Sequence, residues 1–189
     1  MKTPLTIALI SLSIVAHAAE LDSLLADTRQ EVLPVLPKVA GMMKQTVESE
    51  GVAAAIPVCK EKAPAMMAEK AAALGWKIRR VSLKPRNAER ATPDAWEQAQ
   101  LEIFDRRRAG GEDPKAIEVG EIVEAADGGR VFRYMKALPV APVCVQCHGE
   151  RNALAPELRQ AIEAAYPHDR ATGYAPGDLR GALSVTRPL

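Results

Sequence analysis

Cys144-Val145-Gln146-Cys147-His148 constrains this chain of 189 residues more than any other segment. Two thiols separated by two residues, with an imidazole directly after the second, form the pattern that attaches a c-type haem. The thiols add across the haem vinyl groups as thioethers, and the histidine becomes the proximal iron ligand. Competing uses of the motif lack support elsewhere in the chain. A zinc site wants four well-spread ligands, but the one other cysteine is Cys59, and adjacent Cys147 and His148 are awkward on one ion. A thioredoxin-like pair wants a βαβ setting, whereas Leu138-Pro139-Val140-Ala141-Pro142 before the motif reads as a loop.

Thioether attachment takes place beyond the cytoplasmic membrane, and the first residues meet that condition. Lys2 is a positive n-region, residues 5–15 are almost continuously apolar, and Ala16-His17-Ala18 is a small-x-small cleavage site. Residues 1–18 therefore read as a signal peptide, with an uncleaved anchor as the alternative, and residues 19–189 as one exported, periplasmic domain with no further apolar span. Loss of Lys2 takes Lys+Arg from 25 to 24 against 24 Asp+Glu. A balanced chain has no strongly basic face for nucleic acid or anionic lipid. The local runs Arg79-Arg80, Arg86 and Arg106-Arg107-Arg108 read first as solvated helix faces, and secondly as partners for haem propionates.

Cys59 is then the odd thiol in an oxidising compartment. An intermolecular disulfide, a reactive site, a metal ligand and an inert buried residue are all open to it. Lys60 and Lys62 give it the cationic setting found around reactive thiols.

Apolar spacing predicts helices over residues 20–50, divided by Pro34 and Pro37, and over residues 52–74, interrupted near Pro64 and stopped by Gly75. Residues 76–83 alternate as a strand. Thr92-Pro93-Asp94 opens a helix, with proline in its first turn, that runs to Ala109. Residues 118–126 and 130–138 form a hairpin around Asp127-Gly128-Gly129; a short helix over 155–166 and a last strand over 181–186 follow. Helices flanking a small antiparallel sheet make an α+β domain.

The sixth iron ligand controls the chemistry. His17 leaves with the signal peptide, so the candidates are His168, Met42, Met43, Met66, Met67, Met135 and Cys59. Methionine raises the reduction potential, thiolate lowers it, and an empty position admits gas or peroxide. The pairs Met42-Met43 and Met66-Met67 lie in apolar helical patterns that suit core packing, and His168 lies in a polar turn, Pro167-His168-Asp169-Arg170.

Four segments, in order, resemble a known family: Ile56-Pro57-Val58-Cys59; Ile78-Arg79-Arg80-Val81-Ser82-Leu83-Lys84 with Arg86-Asn87; Cys144 to Gly149; and Gly173-Tyr174 with Gly177-Asp178-Leu179-Arg180-Gly181-Ala182. The family is that of small exported c-type haem domains with a PAS-like fold, found alone and as the extracellular sensor portion of membrane-bound signalling proteins. The chain departs from it at Ala88, where the family carries proline. The resemblance implies a PAS-like antiparallel sheet with long N-terminal helices and one covalently attached haem c. It also implies Cys59 as distal iron ligand opposite His148. The expected role is non-enzymatic electron transfer, or redox or gas sensing, with an unidentified redox or signalling partner. A peroxidase or small-molecule reductase with an open or labile sixth position is the alternative.

Overall fold

Prolines shape the amino-terminal half. The computed structural model describes residues 6–125 and 128–189, with side chains from residue 17. Helix α1 (Thr6–Val32) turns at Leu33 and Pro34 into α2 (Val35–Glu50). Pro34 is the N-cap of α2 and Pro37 lies in its first turn, so the absent N–H groups fall where a helix has no internal acceptor for them. Along α1, Leu21 is the first described side chain packed against the core, and Leu24 and Val32 are buried in it. Most of the proposed leader, residues 1–16, lies outside the described side chains.

After Gly51 the chain winds through a short 3-10 turn (Ala53–Ala55) and a π turn (Val58–Lys62) into α3 (Ala63–Leu74). Pro64 withholds one amide from the preceding turn, and the Lys60 carbonyl instead accepts a hydrogen bond from Arg90 Nη1 at 3.2 Å. The interruption predicted near Pro64 thus takes the form of a π turn just before it. A left-handed Gly75, φ 67°, ends α3 as predicted.

Strand β1 (Lys77–Val81) leads to a short helix, α4 (Ala88–Ala91), capped by the Asn87 side chain on Arg90 N–H. Ala88 is the first residue of α4, a position that tolerates proline equally well, so departure from the family here costs no hydrogen bond. Helix α5 (Ala95–Ala109) has Asp94 as N-cap, with Glu97 completing a reciprocal capping box. Pro93 therefore precedes the cap instead of occupying the first turn. Strands β2 (Glu118–Glu124) and β3 (Arg130–Pro139) form the hairpin; Ala126 and Asp127 of its turn lie outside the described residues. Two short helices, α6 (Val145–His148) and α7 (Pro156–Ala165), precede β4 (Leu179–Pro188).

The four strands pair antiparallel in the order β1-β4-β3-β2, so the last strand in sequence lies between the first and the third. One face carries Ile78, Phe132, Tyr134, Leu183 and Val185 against α1 and α3. The other carries Val81, Met135, Ala137 and Ala182 against Leu101 and Phe104 of α5. This is the α+β arrangement anticipated, with long helices at the amino end. Arg79 and Arg80 lie on β1, not on a solvated helix; Arg79 pairs with the buried Glu97 across one face. Among the described residues, no helix is long and apolar enough to cross a membrane.

Candidate functional site

The Cys144-Val145-Gln146-Cys147-His148 segment begins as soon as β3 has left the sheet. Pro142–Cys144 form a 3-10 turn that runs into α6, so Cys144, Cys147 and His148 are set by one and a half tight turns closed by Gly149. A side chain on Gly149 would sit 2.7 Å from the Val145 carbonyl, which explains why the histidine is followed by glycine. All three cysteines are free thiols.

Three contacts orient His148. Its Nδ1 lies 2.7 Å from the Ala171 carbonyl oxygen, and since a carbonyl only accepts, Nδ1 carries the proton and Nε2 keeps its lone pair. Tyr174 packs edge-on, with ring centroids 6.3 Å apart, and its amide bonds the His148 carbonyl at 2.9 Å. Arg180 Nε stands 3.3 Å from the same Nδ1; neither can accept from the other, so Arg180 acts there as a neighbouring positive charge. Burial, then Arg180 and Arg86, pull the His148 imidazolium down to about 2, which leaves the ring neutral at any physiological pH.

Arg86 joins the motif to the segment that holds His148. Its Nη2 donates to the Cys147 carbonyl at 2.6 Å and to the Ala171 carbonyl at 3.3 Å, and it pairs with Asp169 Oδ2 at 3.1 Å. Asp169 in turn accepts from the Ala171 amide at 2.8 Å. Arg180 is pinned by Ser82 Oγ and the Lys84 carbonyl. Burial, followed by repulsion from Arg80, lowers it to about 9. Asp169 and Arg180 escaped the sequence reading of the site, which had Arg86 only as a partner for haem propionates. Arg86 and Arg180 lie inside segments that carried the family resemblance, but Asp169 was overshadowed by its neighbour His168.

Cys59 lies on the π turn and is exposed, which removes the reading of an inert buried thiol. It faces the motif electrostatically. Burial raises the Cys147 thiol, Arg86 opposes that, and Cys59 adds to it. Burial also lowers the Arg80 guanidinium, against the Cys59 and Cys144 sulfurs, which favour its charge. Among the described residues Arg80 has no carboxylate partner and no hydrogen bond, so a free cation lies within electrostatic range of both thiols. Tyr166, pushed up to about 12 by burial and then by Cys59, lies beneath Lys60 at 5.8 Å.

The remaining ligand candidates are placed elsewhere. Met135 is fully buried against α5, Met67 packs on the opposite face of the sheet, and His168 is exposed in the turn after α7. Among the described residues no three His, Cys, Asp or Glu side chains converge to hold an ion.

The sequence profile of the Tll0287-like family matches residues 13–188. The chain belongs to the Tll0287-like family. Among solved structures, this Tll0287-like chain is similar to the cyanobacterial haem-protein Tll0287, with 27% sequence identity and a TM-score of 0.64 over 86% of this chain and 95% of that one. No curated protein matches it. A haem-binding domain family is thereby shown. The α+β sheet and the long amino-terminal helices belong to a fold shared with that haem-protein.

Proposed function

We propose that this protein is an exported mono-haem redox protein in which Cys144 and Cys147 hold haem c covalently, with His148 and Cys59 as axial ligands. The observation that carries the proposal is the tautomer of His148. Its Nδ1–H is committed to the Ala171 carbonyl, so Nε2 is the basic nitrogen, fixed in direction by a neighbouring backbone group. Two free thiols precede it, Cys144 at the end of the 3-10 turn and Cys147 on α6. The site also suits the charge of a porphyrin with anionic side chains, because Arg80 is a cation without a carboxylate of its own.

Bound haem supplies a one-electron iron couple, and the protein's residues determine its potential. His148, held neutral, would supply an imidazole lone pair to the iron. Cys59 would supply its sulfur, and a thiolate ligand would favour the ferric state and a low potential. Ligation by both residues would leave no vacant place for a substrate, so we infer electron transfer or redox sensing and not enzymatic turnover.

The π turn suits a sensing role. π turns are uncommon, weakly held windings that recur at functional sites. This one carries Cys59, is stapled to α4 through Arg90 and the Lys60 carbonyl, and runs directly into α3. A change in Cys59 bonding would therefore act on α3 and on the sheet face beneath it, the kind of two-state element a switch requires. The redox or signalling partner would be a second protein in the periplasm, reached after removal of residues 1–18.

Mass spectrometry of the protein isolated from the periplasm of a cytochrome-c-maturing host tests the proposal. The expected mass is that of residues 19–189 plus one haem, retained under denaturing conditions. A chain without haem, or one that releases it on denaturation, overturns covalent attachment.

A further inference from the structure

The sheet is regular except at one place, and that place aims a charge at His148. Along β3 and β4 the register is Ala137↔Ala182, then Pro139↔Leu179. Two steps on β3 are thus matched by three on β4, which leaves one extra residue in the Arg180-Gly181 stretch. Such a bulge breaks the alternation of side chains between faces and redirects one of them. Gly181 makes it possible. Its φ is 136°, and a Cβ there would stand 2.1 Å from the Val81 carbonyl oxygen, so the β1 backbone presses against the bulge.

Arg180 is the side chain that is redirected. It is 6% exposed, its Nη1 donates to Ser82 Oγ at 2.9 Å and to the Lys84 carbonyl at 3.1 Å, and its guanidinium lies 5.4 Å from the centroid of the Tyr174 ring. All of these partners are neutral. Among the described residues no carboxylate lies within ion-pair distance of it; the nearby Asp169 is held by Arg86. A positive charge with no counter-ion at ion-pair distance among the described residues therefore stands 3.3 Å from Nδ1 of His148.

We infer that Arg180 is a positioning residue that sets the donor strength of His148, and through it raises the reduction potential that a Cys59 thiolate would otherwise drive lower. Two effects act together. The guanidinium beside Nδ1 draws electron density of the neutral imidazole away from Nε2, which weakens that nitrogen as a donor. Its charge also disfavours the ferric iron, which carries one more positive charge than the ferrous. Burial keeps solvent from screening either effect. The inference rests on haem ligation by His148 and deepens that reading by assigning a residue to control of the potential.

The test is a potentiometric titration, followed by absorbance, of the haem-loaded protein and of its Arg180→Gln and Arg180→Lys variants. Arg180→Gln is expected to raise the ferric-to-ferrous ratio at a fixed poise about tenfold, a fall of about 59 mV for a one-electron couple. Arg180→Lys, which keeps the charge, should remain closer to the parent than Arg180→Gln. Equal midpoints for parent and Arg180→Gln, with unchanged spectra, would overturn the inference. A fall of the same size in both variants would also overturn it, because loss of packing alone would then account for the shift. Preparations without covalent haem by mass would instead overturn the haem reading itself, a failure distinguishable from the other two.

Discussion

Replacing Arg86 by methionine would leave Asp169 buried with no cation. Asp169 is 3% exposed and Arg86 11% exposed, so solvent cannot take over the role of the missing guanidinium. Removing one partner of a buried pair costs about 3–5 kcal/mol, mostly through the charge left behind. The Ala171 amide still bonds the Asp169 carboxylate, which argues for the lower end, about 3 kcal/mol. Against a total stability of roughly 5–15 kcal/mol, the loss is plainly measurable. Methionine keeps much of the aliphatic volume, so packing changes little. Urea unfolding of the haem-loaded proteins, followed by circular dichroism, gives the difference directly. The double variant Arg86→Met/Asp169→Asn has no isolated charge and should recover most of the loss. A single variant within about 1 kcal/mol of the parent, or a double variant no more stable than the single, would refute the assignment of this pair as the clamp between the Cys-x-x-Cys-His segment and residues 169–171.

Other changes read different parts of the account. Gly181→Ala should destabilise by about 1–3 kcal/mol through its backbone conformation alone, with the clash against the Val81 carbonyl in addition, seen as a lowered Tm; an unchanged Tm would mean that the bulge relaxes freely. Tyr134→Phe removes a 2.6 Å hydrogen bond to Glu118 and should cost about 1–2 kcal/mol at neutral pH by urea titration. The pH dependence has a definite sign. Burial works to raise the Glu118 carboxyl, but the hydrogen bonds from Tyr134 and Arg29 outweigh it and hold the carboxyl below its usual value. Its contribution to stability is therefore present above the ordinary glutamate range and disappears as pH falls through the depressed folded value, so Tyr134→Phe should flatten the acid limb of the stability curve. Cys144→Ala with Cys147→Ala should abolish haem retention on denaturing gels while leaving the far-ultraviolet circular dichroism of an α+β protein; haem that stays attached would contradict thioether bonding at these positions.

Most of the local structure was legible because it depends on neighbours in sequence. Pro34 and Pro37 divided α1 from α2, Gly75 closed α3, and the alternation around Gly128-Gly129 gave the hairpin. Helix α4 was missed although Asn87 is a capping residue, since four residues carry too little periodicity to register. The central place of β4 was not legible at all. Its partners lie about a hundred residues upstream in β1 and about fifty in β3, and such pairings leave no local trace. The π turn was displaced from where Pro64 suggested it, because the proline acts on the turn before it. At the site, the motif announced Cys144, Cys147 and His148, while Arg86, Asp169 and Arg180 reach them from remote segments. Runs of basic residues looked like solvated faces; three-dimensional placement turned Arg80, in one of those runs, into a desolvated charge near the motif.

The central claim is axial ligation by His148 and Cys59. Electron paramagnetic resonance of the oxidised, haem-loaded protein beside its Cys59→Ser variant tests it most directly. A low-spin signal of thiolate type in the parent, lost in the variant, is the predicted result. A high-spin signal in the parent, or a low-spin signal indifferent to the substitution, would contradict it.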